Sequence, residues 1–216
     1  MTHTLHRVGK RESLEKEFLL YMVPSRGINT KGSTSKIKKF IEICEKYDPI
    51  NIGCLYPSSA KAKPRGSIRN DSIQELKADV VDRTETIVTF SDKNKVTKVL
   101  NDLREANLGI SVVVSGVFDR VFECCKTAGL TPHTVNMALG IKGKTDRIPD
   151  DKILDIVTMC GHGLVSPYLT QDLIEKVKKG KTTSEEAAII LGRNCVCGAF
   201  NPARAVDLIR EMADSP

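Results

Sequence analysis

The 216-residue chain contains no tryptophan, and its four tyrosines and six phenylalanines make up 5% of the sequence. Few aromatic side chains are therefore present to stack on bases, which argues against a nucleic-acid-binding domain. No apolar stretch approaches the ~18 residues that cross a membrane, and no apolar signal region follows the charges of the N-terminus. We therefore expect a cytoplasmic protein without a membrane span.

Other absences narrow the chemistry. Proline and glycine supply 9 and 15 residues, too few for a disordered or collagen-like chain. Neither the dinucleotide fingerprint GxGxxG nor the phosphate-binding pattern GxxxxGK[ST] occurs. No Ser-His-Asp order or paired-carboxylate motif can be assigned from spacing, so the sequence does not name a reaction. The mild net charge of +6, from 33 basic and 27 acidic residues, permits an anionic ligand without requiring one.

Alternating apolar runs and amphipathic segments predict an α/β fold for the first two thirds of the chain. Short apolar or β-rich runs predict strands over 17–23, 49–57, 84–90, 110–114 and 133–141. Apolar residues at helical spacing predict helices over 35–47, 93–107 and 117–128. Because strands and helices alternate, we expect an α+β-like sandwich with a mixed sheet and helices mainly on one face.

From Pro149 the pattern becomes purely helical. Helix-start signals recur at Ser166-Pro167, at the capping box Thr183-x-x-Glu186 and at Asn201-Pro202. We therefore predict two domains: residues 1–147 form the α/β sandwich with an N-terminal arm, and residues 148–216 form a small helical region that contains cysteine and histidine.

Seven cysteines are many for a cytoplasmic protein, and the odd number without a secretory signal favours reduced thiols over a disulfide framework. Three of them lie in the helical region, in Met159-Cys-Gly-His-Gly163 and Asn194-Cys-Val-Cys-Gly198. The neighbouring glycines allow close approach of the backbone to a ligand. A helix N-terminus that follows the second motif favours thiolates.

These residues predict a metal centre. Cys160, Cys195 and Cys197 are candidate ligands of a [4Fe–4S] cluster with one iron open to substrate or to His162. The alternative is a zinc ion bound by the same three thiols and His162 as a Cys3His set. We favour the cluster because CxC and CGH are not standard zinc motifs; a redox-active CxC pair and plain core thiols are the remaining interpretations.

The other cysteines and the remaining histidines are weaker candidates. Helical position places Cys44, Cys124 and Cys125 in the core, whereas Cys54, at a strand end, is a candidate for reaching a site across the sheet. His3 and His6 complete a ligand set only if the N-terminal arm folds back. His133 is either a hydrogen-bonded strand-end residue or a ligand contact.

Two loops and one basic stretch are candidate anion sites. Ser115 and Gly116 join a predicted strand to a helix, and Arg26 lies in the loop after the first strand. Residues 61–69 contain Lys61, Lys63, Arg65 and Arg69, which fit a solvated loop, a lid or a contact to RNA phosphates.

Three functional hypotheses follow. The first is an iron–sulfur protein in redox or Lewis-acid chemistry or cofactor metabolism under oxygen-poor conditions, whose partner is an anionic small molecule or a redox protein. The second is a zinc-stabilised binding or regulatory module without catalysis. The third is a metal-free RNA-binding protein that uses the basic loop 61–69, although the scarcity of aromatics makes nucleic acid the least favoured partner.

Overall fold

The computed structural model of the chain describes residues 7–57, 65–138 and 140–215. In this part a five-stranded sheet is surrounded by helices. The strands are β1 (Phe18–Met22), β2 (Asn51–Leu55), β3 (Arg65–Gly66), β4 (Glu85–Phe90) and β5 (Val112–Ser115). The helices are α1 (Arg11–Leu14), α2 (Ser33–Glu45), α3 (Ile73–Ala78), α4 (Lys93–Ala106), α5 (Phe118–Thr127), α6 (Asp151–Val157), α7 (Pro167–Lys178), α8 (Ser184–Gly192) and α9 (Pro202–Ala213).

The strand order is β3-β2-β4-β1-β5, and every neighbouring pair is antiparallel. Two β-α-β units, β1-α2-β2 and β4-α4-β5, are interleaved, so that each unit's strands are separated by a strand of the other. This is the split βαβ arrangement. The α/β prediction is confirmed, but the sheet is antiparallel throughout rather than mixed, because interleaving removes every parallel contact.

The first face of the sheet carries Phe18, Leu20 and Met22 of β1, which are completely buried. The apolar sides of α2 and α4 cover this face and form a continuous core with it. Alternate β1 residues point to opposite faces, so a strand that is buried along its whole length requires a cover on the other side as well.

That second face carries Leu19 and Tyr21 of β1 and Ile87 of β4, and it is covered by α6, α7, α8 and α9. Helices therefore lie on both faces, α2 and α4 on one and the C-terminal group on the other. The capping residues expected for α7, α8 and α9 are present, since Ser166, Thr183 and Asn201 each accept a backbone N–H of the helix that follows. Among the described residues, no helix is long and apolar enough to cross a membrane.

Between α5 and α6 the described residues form no helix or strand, so the strand predicted over 133–141 is wrong. The described residues of that segment are exposed. Their alternating apolar pattern does not pair with the sheet, and Val135 and Met137 remain exposed. The predicted domain boundary near residue 147 falls within this connection, and the division into two domains stays a prediction.

Candidate metal centre

The structure brings Cys160, Cys195 and Cys197 together, and we call these three residues the thiol cluster. Their exposed fractions are 2%, 1% and 0%. The sulfurs of Cys195 and Cys197 are 3.7 Å apart, and the thiols of Cys160 and Cys195 are near enough to shift each other's pKa. Cys160 follows α6, while the other two lie in the loop between α8 and α9. The metal-ligand role predicted for these residues stays a prediction.

The loop that contains Cys195 and Cys197 rests directly on the second face of the sheet. The amide of Asn51 donates to the carbonyl of Phe200 at 2.9 Å, and the hydroxyl of Thr89 donates to the carbonyl of Gly198 at 2.9 Å. Asn51 belongs to β2 and Thr89 to β4, so two neighbouring strands fix the loop. Such buried hydrogen bonds contribute about 1 kcal/mol each and cost more than that when one partner is lost.

Two glycines permit this close contact. A Cβ atom on Gly53 of β2 would collide with the carbonyl group of Cys197, and one on Gly198 would collide with the backbone of Gly53. Gly198 also has a φ of +79°, a conformation that residues with a Cβ rarely adopt. The glycine after the CxC motif therefore serves the packing of the loop on the sheet.

Backbone N–H groups beside each sulfur of the thiol cluster act to lower the pKa of that thiol. The donors lie further along the chain: the N–H groups of His162 and Leu164 for Cys160, of Phe200 for Cys195 and of Ala199 for Cys197. N–H donors aimed at a sulfur stabilise its thiolate form. They are also the groups that tune the thiolate ligands of iron–sulfur centres.

Arg7 holds the two cysteine loops against each other. Its guanidinium donates to the carbonyl of Met159 at 2.8 Å and to that of Ala199 at 2.7 Å. The first carbonyl directly precedes Cys160, and the second belongs to the loop of the other two thiols. The side chain is 8% exposed, and its Nε has no hydrogen-bond partner within the described part of the chain.

Glu17 neutralises part of this buried charge. Its carboxylate accepts from Arg7 through one oxygen and from Arg204 through the other, the second contact at 2.7 Å. Both Glu17 and Arg204 are 1% exposed. Burial and the neighbouring Arg204 lower the pKa of Arg7 to about 9, whereas the thiol cluster raises it. Arg7 is therefore still a cation at neutral pH, and it faces the sulfurs.

The three thiols shift one another's pKa values in different directions. The hydrogen bond to Cys195 and burial raise the pKa of Cys160 well above its usual range. The pKa of Cys195 is raised to about 11, because Cys197 and burial together outweigh the lowering effect of Cys160. The hydrogen bond from Cys195, the N–H of Ala199 and the charge of Arg7 lower the pKa of Cys197 despite burial. Cys197 is thus the first of the three to lose its proton.

The other candidate ligands that the structure describes do not reach the thiol cluster with their side chains. His162 is exposed and meets Cys160 through its backbone. Cys54 lies in the first-face core, where its sulfur is 3.7 Å from Thr86 Oγ1. His133 is exposed, with its ring beside the hydroxyl of Thr134. His3 and His6 lie outside the described residues. Within residues 7–57, 65–138 and 140–215, no three His, Cys, Asp or Glu side chains stand in a ready-made metal geometry.

The candidate anion-binding residues do not lie together in the structure. Arg26 lines a cavity at the end of β1, whereas Ser115 pairs with Leu19 at the opposite end of that strand. Gly116 is packed against Val121 and Phe18, which explains the small residue there by packing. Of the basic stretch, Lys61 and Lys63 and the side chains of Arg65 and Arg69 lie outside the described part.

Comparisons of the chain with protein-family models, curated proteins and solved structures find no match. A function for the chain must therefore be inferred from its fold and from the thiol cluster.

The sequence interpretation missed the charged residues that support the thiol cluster. Arg204 lies on the apolar stripe of α9, four positions before Leu208 and eight before Met212. A charge on such a stripe is a signal of a buried partner. Glu17 opens the apolar run of β1 and gives a similar signal. Nothing in the local sequence distinguishes Arg7.

Proposed function

We propose that Cys160, Cys195 and Cys197 bind one tetrahedral metal ion, with zinc as the chemically best-fitting one, and that the ion stabilises a binding module. The observation that carries the proposal is the gathering of three buried thiols, with their backbone N–H donors, beside the buried Arg7 cation. On binding, the metal would displace the three thiol protons, which are released to solvent.

The spacing of the sulfurs supports a single ion. Two thiolates at ~2.3 Å from a tetrahedral zinc ion stand about 3.8 Å apart, and the sulfurs of Cys195 and Cys197 are 3.7 Å apart. In a [4Fe–4S] cluster each thiolate binds a different iron, so its sulfurs must be further apart than two that share one ion. The cluster expected from the sequence would require these loops to open, and it stays a prediction.

The charges also fit. Three thiolates and a divalent cation carry a net charge of −1, which is costly to bury without a counter-ion. The Arg7 guanidinium beside the sulfurs supplies the opposite charge. Its Nε, which lacks a partner within the described residues, is a free donor at the edge of the centre.

The burial of the thiol cluster favours a structural role over turnover. Structural zinc sites have four protein ligands, whereas catalytic sites have three and keep the fourth position open to water or substrate. The three buried thiols supply three ligands, and the exposed His162 would complete the tetrahedron if its side chain turned inward. Here the metal would join the loop after α6 to the loop between α8 and α9, on the second face of the sheet. Binding energy at such a site is folding energy, so the ion would hold the C-terminal helices in place.

The test is the metal content of the purified chain, together with its cobalt-substituted spectrum. We expect about one zinc per chain, and a Co²⁺ form with the intense sulfur-to-metal absorption of thiolate ligands. Cys160→Ser, Cys195→Ser and Cys197→Ser should each lose that absorption. Cys44→Ser and Cys125→Ser, which alter buried thiols of the first face, are the matched controls and should keep it.

The same experiment separates the competing hypotheses. About four irons and four sulfides per chain, in a brown protein purified without air, would replace the single ion by the cluster. Metal binding that survives substitution of all three thiols, or absence of metal binding by the folded chain, would overturn the proposal.

A further inference from the structure

A second feature of the molecule lies away from the thiol cluster, at one end of the sheet. The residues that follow β1 and β2 and those that precede β4 surround an open cavity of about 460 Å³. This volume lies in the range of small-molecule sites. Val23 and Leu55, which extend β1 and β2, form its apolar wall.

Two arginines and one acid are the charged residues of the described lining: Arg26, Arg83 and Glu85. Both arginines are exposed to solvent. Within the described part of the chain neither guanidinium is in an ion pair, unlike Arg104, Arg120 and Arg210. The lining therefore offers two uncompensated guanidinium groups on the same cavity, and guanidinium is the group best shaped to bind carboxylate or phosphate oxygens.

The backbone that presents Arg83 is held in an unusual conformation. Its φ is +73°, in the left-handed region that non-glycine residues seldom occupy. The turn is secured from both sides, since the backbone N–H of Arg83 donates to Ser33 at 3.0 Å and Asp82 accepts from Gly32 and Thr34. Arg83 is thus presented from a rigid rim.

Glu85, the acidic residue of the described lining, already accepts one hydrogen bond. The buried hydroxyl of Tyr21 donates to Glu85 Oε2, and Glu85 also lines the cavity, so its carboxylate has acceptor capacity left for a ligand there. A ligand that carried an oxyanion and also a hydroxyl would satisfy the arginines and this acceptor together. A simple oxyanion would satisfy only the arginines.

We infer that this cavity binds a small oxyanion, a carboxylate or a phosphate, through Arg26 and Arg83, and that Glu85 accepts a hydrogen bond from a hydroxyl of the same ligand. The inference is independent of the metal proposal, because no residue of the thiol cluster lines the cavity. It gives the binding module a class of ligand and gives Arg83 a role that the sequence did not indicate.

The test is calorimetric titration of the full-length chain with inorganic phosphate, acetate and glycerol 3-phosphate. Charge-assisted hydrogen bonds contribute ~1.5–3 kcal/mol, so Arg26→Gln and Arg83→Gln should each weaken binding by roughly tenfold or more. Arg193→Gln, an exposed arginine at the end of α8, is the matched control and should leave the affinity unchanged. All three variants should retain the metal content of the wild type.

The comparison of ligands distinguishes the parts of the inference. Phosphate or acetate, whichever binds more tightly, identifies the oxyanion class. Tighter binding of glycerol 3-phosphate than of phosphate, lost in Glu85→Ala, supports the role of Glu85, and equal binding overturns it. No saturable binding of any of the three probes, or binding that the Arg26→Gln/Arg83→Gln double variant keeps, overturns the oxyanion site even if the metal centre is confirmed.

Discussion

The two faces of the sheet both bury cysteines, but they place them in different surroundings. On the first face, Cys44 is enclosed by apolar side chains, and burial alone raises the pKa of its thiol. Cys54, on the same face, has the hydroxyls of Thr86 and Tyr56 as neighbours, but burial still raises its pKa. On the second face Cys195 and Cys197 contact each other, and the pKa values of the thiol cluster respond to neighbouring thiols, to backbone N–H groups and, at Cys197, to the charge of Arg7.

This difference shows that burial does not define the role of a cysteine. An isolated buried thiol stays protonated and behaves as a small apolar side chain. Several thiols with N–H donors and a nearby cation have a common means of becoming thiolates, which are the nucleophilic and metal-binding form. The second face is therefore where metal chemistry is expected, and the following experiments test that contrast.

The largest effect is expected from the thiol cluster itself. Structural zinc contributes ~10–16 kcal/mol of apparent binding free energy, comparable with or greater than the ~5–15 kcal/mol stability of an average domain. Cys195→Ser should therefore leave the C-terminal helices unfolded, measured as loss of helical circular dichroism and of cooperative unfolding in urea. Cys44→Ser, which buries a hydroxyl in the first-face core, should cost about 1–3 kcal/mol and keep the metal. Equal losses of stability in the two variants would contradict the proposed difference between the cysteines of the two faces.

The next effect concerns the cation of the second face. Arg7→Gln removes the charge and the clamp between the carbonyls of Met159 and Ala199. Breaking a buried ion pair costs about 3–5 kcal/mol, and we expect a loss near the lower end because Glu17 keeps its contact with Arg204. Metal affinity should fall as well.

The matched control for Arg7 is Lys10→Gln, which removes a charge from the same N-terminal segment. Lys10 pairs with Glu211 on the surface, and exposed pairs contribute little to stability. Urea unfolding and zinc competition with a chelator measure both properties. Unchanged metal affinity in Arg7→Gln would show that the guanidinium serves packing alone.

Much of this architecture follows from sequence patterns that act locally. The strands at 17–23, 49–57 and 84–90 and the helices of both regions lie within a few residues of their predicted limits, because apolar periodicity and capping residues are local signals. The gathering of the thiol cluster was also predictable, since glycines and helix ends mark loops that approach one another.

The remainder depends on contacts that no local pattern records. Which strands of the two β-α-β units pair with each other depends on long-range contacts. Because the units interleave, the sheet is antiparallel. Arg7 acts across 152 and 192 residues of sequence, so its role emerges only when the loops meet. The segment 133–141 has the alternation of a strand without a partner strand, which shows that alternation without an available sheet edge does not make a strand.

A smaller effect tests how closely the thiol loop depends on the sheet. Gly53→Ala places a methyl group against the carbonyl of Cys197, and overpacking of this kind typically costs about 1–3 kcal/mol. Gly66→Ala is the matched control, since Gly66 lies directly opposite Gly53 on the neighbouring strand β3, where the new methyl would come no closer than 3.1 Å to the carbonyl oxygen of Ile52. Zinc competition should show weaker binding for Gly53→Ala than for Gly66→Ala. Equal metal affinity in both variants would show that metal binding does not depend on the close packing of the thiol loop against β2.

The smallest effect belongs to the first face and to acidic pH. Asp82 accepts from Gly32 and Thr34 at the start of α2. The hydroxyl and N–H of Thr34 lower the pKa of its carboxyl to about 2, from an ordinary 3.8. A depressed pKa contributes stability above the unfolded value that is lost as pH falls toward the folded value. The difference in urea midpoint between wild type and Asp82→Asn should therefore be full above about pH 5, fall as the pH drops through about 2 and vanish near about pH 1, with metal content at neutral pH unchanged. A difference that stays constant with pH would assign the effect to the amide rather than to the charge, and loss of metal would show that the two faces are coupled.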